Sequence, residues 1–217
     1  MSITSARSAA IAAVLFAIIF VGSSMVLMGQ VENDMSASDF ADTYDETAGR
    51  MVILVTGYIA LVSTALLGLF AVHLLARLRT AEGGDAPLSR LAQLAAVILA
   101  VTWVVGVGAQ MNVAGAVQFG DYDVPSPETA AFFSQFGTGI VLLGSMVAAS
   151  ALMGLTATIA FRSAAFPRWV AWLSAVTAVL ALFGAMFFPA IAFPVWLIAL
   201  GVHFLRAGEQ TNPVVSP

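Results

Sequence analysis

The stretch that decides the fold is residues 169–205, WVAWLSAVTAVLALFGAMFFPAIAFPVWLIALGVHFL, which contains no charged side chain. A helix needs about 20 apolar residues to cross a hydrocarbon core about 30 Å thick. This run is too long for one crossing and suits two short ones. Pro189 and Pro194 lie near its middle, and proline breaks or kinks a helix. We therefore expect a tight hairpin around residues 187–194, between a fifth helix at 169–186 and a sixth at 193–206.

Four more apolar stretches precede this run, and each is long enough to span a bilayer. They predict helices at about 9–29, 51–75, 91–113 and 136–161. The first follows Arg7, as a signal-peptide core would, but it is long for such a core and shows no clear cleavage site. We expect it to be retained. No loop is long enough for a core of its own, so the sequence predicts one all-α domain, 1–207, and a disordered tail, 208–217.

The composition points to lipid as the main solvent. The chain is 60% hydrophobic and 9% charged, with a mean hydropathy of +0.97, whereas soluble domains carry about 25% charged residues. It contains no cysteine and no lysine. Disulfides, thiolate metal sites, thiol redox chemistry and lysine-based catalysis are therefore excluded.

The charged residues divide unequally between the two ends of the predicted helices. One side carries nine of the twelve acids and a single arginine, Arg50. The other side carries the remaining seven arginines. Those seven are Arg7, Arg77, Arg79, Arg90, Arg162, Arg168 and Arg206. The positive-inside rule predicts that they are cytoplasmic. Both termini are then inside, in a bacterial inner membrane, with acidic loops 30–50 and 114–131 outside. An even number of crossings is required, which favours six helices over five.

Two histidines are the ionisable side chains well inside the predicted helices. His73 precedes Arg77 by four residues and His203 precedes Arg206 by three. Both helices run in the same direction, so the imidazoles are expected at matched depth. Such a pair can ligate a b-type haem, and an ionisable residue in a membrane is a functional candidate. The alternatives are an interfacial contact with headgroups or water, or a pH-sensitive contact.

The first acidic loop contains a periodic set of carboxylates. Asp39, Asp42 and Asp45 recur every three residues and would share one face of a helix. Oxygen-rich clusters bind hard cations, which makes these three a candidate metal site. The sequence favours the alternative of a solvated acidic surface, and a docking surface for a basic partner is a further alternative.

Uncharged polar side chains lie near one end of helices three and four. Gln110 and Asn112 end helix three, Gln135 begins helix four, and Thr102 lies nearer the middle of helix three. Amides bridge membrane helices, each contributing about 1 kcal/mol or less, so packing is one interpretation. If the four side chains face one cavity, they form a site for a polar solute.

The C-terminal third carries a resemblance to known proteins. It reads FPRWVAW at 166–172, with Pro189 after the fifth helix and PVW at 194–196. This resembles a broad group of six-helix bacterial integral membrane proteins in which Pro-x-Trp-x-x-Trp precedes helix five and a Pro/Trp element precedes helix six. The resemblance implies a fold. It implies no activity, because none is assigned to that group.

The sequence lacks the motifs of common catalytic sites. No phosphate-binding glycine loop with lysine, zinc-protease helix or serine nucleophile turn occurs, and no acid or arginine falls at mid-membrane depth. We expect a non-catalytic accessory or structural subunit without a cofactor. Its partners would be the lipid bilayer and other membrane proteins or a second copy, not nucleic acid. The alternatives are a carrier or channel for a neutral or weakly polar solute, and a bis-histidine haem b electron carrier.

Overall fold

The computed structural model describes residues 5–29, 40, 43–186 and 188–210, and within these ranges every regular element is helical. The helices are α1 (Ala6–Met28), α2 (Thr47–Glu82), α3 (Pro87–Gly120), α4 (Pro127–Arg162), α5 (Arg168–Leu182) and α6 (Ala192–Gln210). The first four are long and apolar enough to cross a membrane, and α5 and α6 contain shorter apolar helices. The prediction of an all-α fold built from membrane-type helices is confirmed.

The apolar run at 169–205 is divided close to its two prolines. α5 ends at Leu182, two short 3-10 turns cover Gly184–Met186 and Phe188–Ile191, and α6 begins at Ala192. Pro194 therefore falls in the first turn of α6, where a missing N–H removes no helical hydrogen bond. The fifth helix ends earlier than residue 186 because the chain tightens into 3-10 turns before it reaches Pro189.

Four helices, α2, α3, α4 and α6, extend well beyond the apolar windows that predict them, and α4 begins at Pro127 instead of residue 136. Residues 47–50 belong to α2 and residues 114–120 to α3, so part of each predicted acidic loop is helical. Hydropathy marks the part of a helix that lies in lipid, whereas caps determine where the helix ends. The Ser126 side chain, for example, accepts a hydrogen bond from the Thr129 N–H and starts α4. α6 continues to Gln210, into the predicted tail, and residues 211–217 lie outside the described ranges.

The six helices form a ring in chain order. Each packs against its neighbours in sequence, and α6 returns to pack against α1. Successive helices are antiparallel, so the seven arginines that the sequence places together lie at one end, which we call the arginine end. There Arg79 donates a hydrogen bond to Gln93, which joins α2 to α3, and the Trp169 ring contacts His203, which joins α5 to α6.

Aromatic side chains fill the interior between α1, α2, α3 and α6. This aromatic column consists of Phe16, Phe20, Phe70, Trp103, Phe193, Trp196 and Phe204, all of them buried. Trp103 stacks on Phe20 with ring centroids 4.9 Å apart, and Phe20 meets the edge of Phe193 at 5.8 Å. Aromatic pairs at such distances stabilise a core beyond the area they bury.

The two indole N–H groups in the aromatic column both have hydrogen-bond partners. The Trp103 indole N–H donates to the Ala60 carbonyl oxygen at 3.1 Å, and the Trp196 indole N–H donates to Ser174 Oγ at 2.8 Å. A buried indole without a partner would be costly in a dry interior. The two bonds tie α3 to α2 and α6 to α5, so the column connects four helices by hydrogen bonds as well as by packing.

Candidate functional site

Two polar pairs join α3 to α4. Gln110 is buried, and its Nε2 donates to Thr138 Oγ1 at 2.8 Å. Thr102 Oγ1 lies 3.0 Å from Ser145 Oγ. These pairs lie on either side of an unusual part of α4, a π-helical segment at Ile140–Ser145. Gln110 and Thr102 therefore hold α4 where its backbone departs from α-helical geometry.

The four residues of the predicted solute site do not share a cavity. Asn112 and Gln135 are exposed on the bundle surface, whereas Gln110 is buried between α3 and α4. Residues i and i+2 point to different sides of a helix, which separates Asn112 from Gln110. The arrangement of Thr102 and Gln110 supports helix packing. Their partners Thr138 and Ser145 were not predicted. Two hydroxyl residues seven positions apart lie on one face of a helix, and this spacing could have indicated a polar contact with a neighbouring helix.

Both histidines lie against the same buried phenylalanine at the arginine end. The His73 ring centroid lies 4.9 Å from that of Phe204, and the His203 centroid lies 5.9 Å from it. His203 also meets the ring of Trp169 edge-on at 5.7 Å. The structure therefore places the imidazoles close in depth, as the sequence predicts, but with an aromatic side chain packed against each of them.

This arrangement does not fit a bis-histidine haem. Axial ligation requires two imidazole nitrogens that face each other across a flat porphyrin slot. Nε2 of His73 instead accepts a hydrogen bond from Arg77 Nε at 3.3 Å, and Phe204 packs against both imidazoles. The haem hypothesis thus gains no geometric support from the residues present.

The predicted carboxylate site lies mostly outside the described ranges. Asp39 and Asp42 fall there, and Asp45 is exposed at the start of the described part of the loop. Within the described residues, no three His, Cys, Asp or Glu side chains are placed to hold a metal ion. The metal prediction for Asp39, Asp42 and Asp45 stays a prediction.

Arg50 forms hydrogen bonds that fix the segment in front of α2, which contains Tyr44 and Asp45. Its Nη1 donates to the carbonyl oxygens of Tyr44 at 2.5 Å and Asp45 at 2.9 Å, and its Nε donates to Gln118 Oε1 at 3.0 Å. Nη2 reaches the Thr47 hydroxyl at 3.2 Å. The Tyr44 ring is buried beneath this clamp, and burial raises the pKa of its hydroxyl to about 12. The arginine that departs from the charge asymmetry thus has a structural role.

A pocket of about 340 Å³ opens at the arginine end. We call it the basic pocket, and its lining consists of His73, Ala76, Arg77, Thr80, Ala81, Ala165 and Phe166. His73, Arg77 and Thr80 are spaced by four and three residues, so they share one face of α2. The sequence contains that spacing, but it does not reveal that the 163–167 connection closes the pocket from the other side.

A shallow apolar groove of about 620 Å³ runs along the outside of the ring between α3 and α4. Its small residues are Ala95, Gly144, Ala148, Ala151 and Gly154, with Leu94, Ile98, Val147 and Leu155 among its larger ones. Small residues three or four positions apart let a second helix approach closely in a membrane. The sequence predicts close packing from such residues, but not which of them face outwards.

No protein-family model, curated protein or solved structure matches this chain. Contacts, burial and charge within the chain are therefore the grounds on which a role can be assigned to it.

Proposed function

We propose that this protein is a non-catalytic integral membrane protein that packs, as an accessory or structural subunit, against other membrane proteins. The observation that carries the proposal is the aromatic column. Its buried rings form a chain of contacts that runs from Trp103 through Phe20, Phe193, Trp196 and Phe70 to Phe204. The two indole N–H groups have hydrogen-bond partners inside the bundle. An interior filled in this way stabilises the bundle and leaves the outer faces for interaction.

The proposed orientation places the arginine end and both termini in the cytoplasm of a bacterial cell. The positive-inside rule supports it, and Arg50, the one arginine on the proposed outer side, takes part in contacts of its own. Arg50 is engaged by the carbonyl oxygens of Tyr44 and Asp45 and by Gln118. An arginine required for such a clamp is tolerated on the outer side.

The α3–α4 groove is the proposed contact face, and its occupant is an apolar transmembrane helix of a different protein. A second copy is disfavoured by charge. One arginine and nine acids on the proposed outer side give 1 − 9 = −8 per chain, and two such surfaces side by side repel each other within a Debye length of about 8 Å. A partner with a basic outer surface is attracted instead.

Cross-linking from single cysteines tests this proposal, and within this chain the label attaches at the introduced cysteine alone, because the natural chain contains no cysteine. A photoreactive maleimide is attached at Ala151→Cys in the groove or at Val179→Cys on the exposed face of α5. The two positions are matched in depth, since Ala151 precedes Arg162 by as many residues as Val179 follows Arg168. In native membranes we expect a protein adduct of defined mass from Ala151→Cys and little from Val179→Cys.

Equal and weak adducts at both positions, together with a chain that is extracted alone and monomeric, would contradict the proposal. An adduct of twice the chain's own mass would identify the partner as a second copy of this chain instead of a different protein. The carrier and haem alternatives have weaker support, because the amides are divided between separate environments and His73 is bonded to Arg77.

A further inference from the structure

The basic pocket contains an arginine that is held in place but only partly used. Arg77 is half-buried, and its guanidinium carbon lies 5.3 Å from the centroid of the Phe204 ring. Its Nε donates to His73 Nε2. Among the residues whose side chains the structure describes, which do not include 207–210, its two terminal amino groups have no hydrogen-bond partner. The fork of the guanidinium is therefore fixed by one hydrogen bond and one cation–π contact, and two donor groups remain for a ligand.

Glu82, the acid nearest to Arg77 along α2, is hydrogen-bonded to the next helix. Both carboxylate oxygens of Glu82 accept hydrogen bonds at the start of α3, from Leu88 N at 2.9 Å and from Ser89 N and Oγ at 2.8 and 2.7 Å. Glu82 thus joins two helices and does not pair with Arg77. Among the residues whose side chains the structure describes, no carboxylate pairs with Arg77. A half-buried cation without such a partner is costly at the edge of a membrane, and an external anion in the pocket would offset that cost.

Aromatic side chains beside the pocket indicate a position near the phospholipid headgroups. Phe166 lines it, and the exposed rings of Trp169 and Trp172 follow at the start of α5. Tryptophans with exposed rings concentrate at the headgroup level of a bilayer. The anions that are abundant at this level are phosphate groups, whose oxygens match the two-pronged fork of arginine.

We propose that the basic pocket binds a phosphate group through the terminal amino groups of Arg77, with Phe166 lining the site and Phe204 packed under the guanidinium. Its volume falls within the range of about 300–1,000 Å³ that is typical of small-molecule pockets. The phosphate comes either from the headgroup of an anionic phospholipid or from inorganic phosphate in solution. Basic pockets between membrane helices are known receptors for anionic headgroups, and this site is separate from the α3–α4 groove.

The first arm of the test uses the full chain in micelles that contain equal amounts of phosphatidylglycerol and diacylglycerol with the same acyl chains. The two lipids differ by the phosphoglycerol headgroup, and native mass spectrometry counts which one is retained. We expect the natural chain to prefer phosphatidylglycerol by about tenfold or more. Arg77→Gln should lose about tenfold or more of that preference, as expected when the charge-assisted hydrogen bonds of the guanidinium are removed.

Arg79→Gln is the matched control. It removes the same charge two residues further along α2, from a side chain that donates to Gln93 and does not line the pocket. Ala76→Leu is the second variant, because it narrows the pocket and changes no charge. We expect Arg79→Gln to keep the preference and Ala76→Leu to lose it, so the site can be tested even if Arg77→Gln folds poorly.

The second arm titrates the lipid-free chain with inorganic phosphate by calorimetry. Binding that depends on Arg77, without a lipid preference, would support the site and identify free phosphate as its ligand. The proposal is overturned if neither probe depends on Arg77. It is also overturned if Arg79→Gln weakens binding as much as Arg77→Gln, or if Ala76→Leu binds like the natural chain.

Discussion

Gly106 and Gly137 face each other where α3 crosses α4, and neither position has room for a side chain. A Cβ on Gly137 would lie 2.5 Å from the Gly106 carbonyl oxygen, and one on Gly106 would lie 2.9 Å from the Gly137 carbonyl oxygen. These neighbours are backbone atoms, which cannot rotate away. The contact fixes the distance between the two helices at this crossing.

Replacing Gly137 by alanine should separate α3 from α4. We expect Gly137→Ala to lower the free energy of unfolding by about 1–3 kcal/mol, the usual cost of overpacking a close contact. Gly139→Ala lies two residues along the same helix with nothing within 4 Å of the new Cβ. That variant should be neutral or more stable by about 1 kcal/mol, since alanine is the better helix former. Detergent-mediated unfolding measures both, and equal effects would show that the crossing is not close.

The hydrogen bond between Trp103 and Ala60 gives a second prediction. Trp103→Phe keeps an aromatic ring in the column but removes the indole N–H. We expect a loss of about 1 kcal/mol, in line with hydrogen bonds between membrane helices, and about 3–5 kcal/mol for Trp103→Ala, which also empties the site. Trp172→Phe, on a ring that is 63% exposed, should change stability by less than about 0.5 kcal/mol. A loss at Trp172 equal to that at Trp103 would contradict a packed interior.

The clamp made by Arg50 should control the segment in front of α2. Arg50→Gln removes the bonds to the Tyr44 and Asp45 carbonyl oxygens, so the backbone amides at 43–49 should exchange with solvent about tenfold faster or more. Hydrogen exchange followed by mass spectrometry measures this. Arg90→Gln, at the arginine end, is the control and should leave the segment unchanged. Unaltered exchange in Arg50→Gln would show that other contacts hold it.

Burial of Tyr44 predicts a pH dependence with a definite sign. The pKa of its hydroxyl rises to about 12 because burial disfavours the phenolate, against about 10 in an unfolded chain. Tyr44 therefore leaves stability unchanged below about pH 10, and packing of its segment weakens as pH rises from about 10 to 12. Phenolate absorbance should show a late ionisation phase from Tyr44, and Tyr44→Phe should abolish that phase. A late phase that persists in the variant would refute the assignment.

Local features of the sequence predict part of this fold well. Pro189 lies in the 3-10 turns that separate α5 from α6, and Pro194 lies in the first turn of α6. Both positions follow from the restriction that proline places on its own backbone. The end of α2 at Glu82 is harder to predict, since its carboxylate bonds to Ser89 of the next helix. The prediction of a solute site grouped Gln110 with Asn112, although side chains two positions apart on a helix point in different directions. The basic pocket depends on Phe166 approaching α2, a tertiary contact that hydropathy does not encode.

Single-cysteine labelling in intact cells tests the membrane topology, on which the proposed function and both proposed binding surfaces depend. Asp85→Cys lies in the connection between α2 and α3, and Asp123→Cys lies between α3 and α4, both at exposed positions. A membrane-impermeant maleimide should label Asp123→Cys in intact cells and Asp85→Cys only after permeabilisation. Labelling of Asp85→Cys from outside, or of both positions equally, would contradict a six-helix bundle whose arginine end faces the cytoplasm.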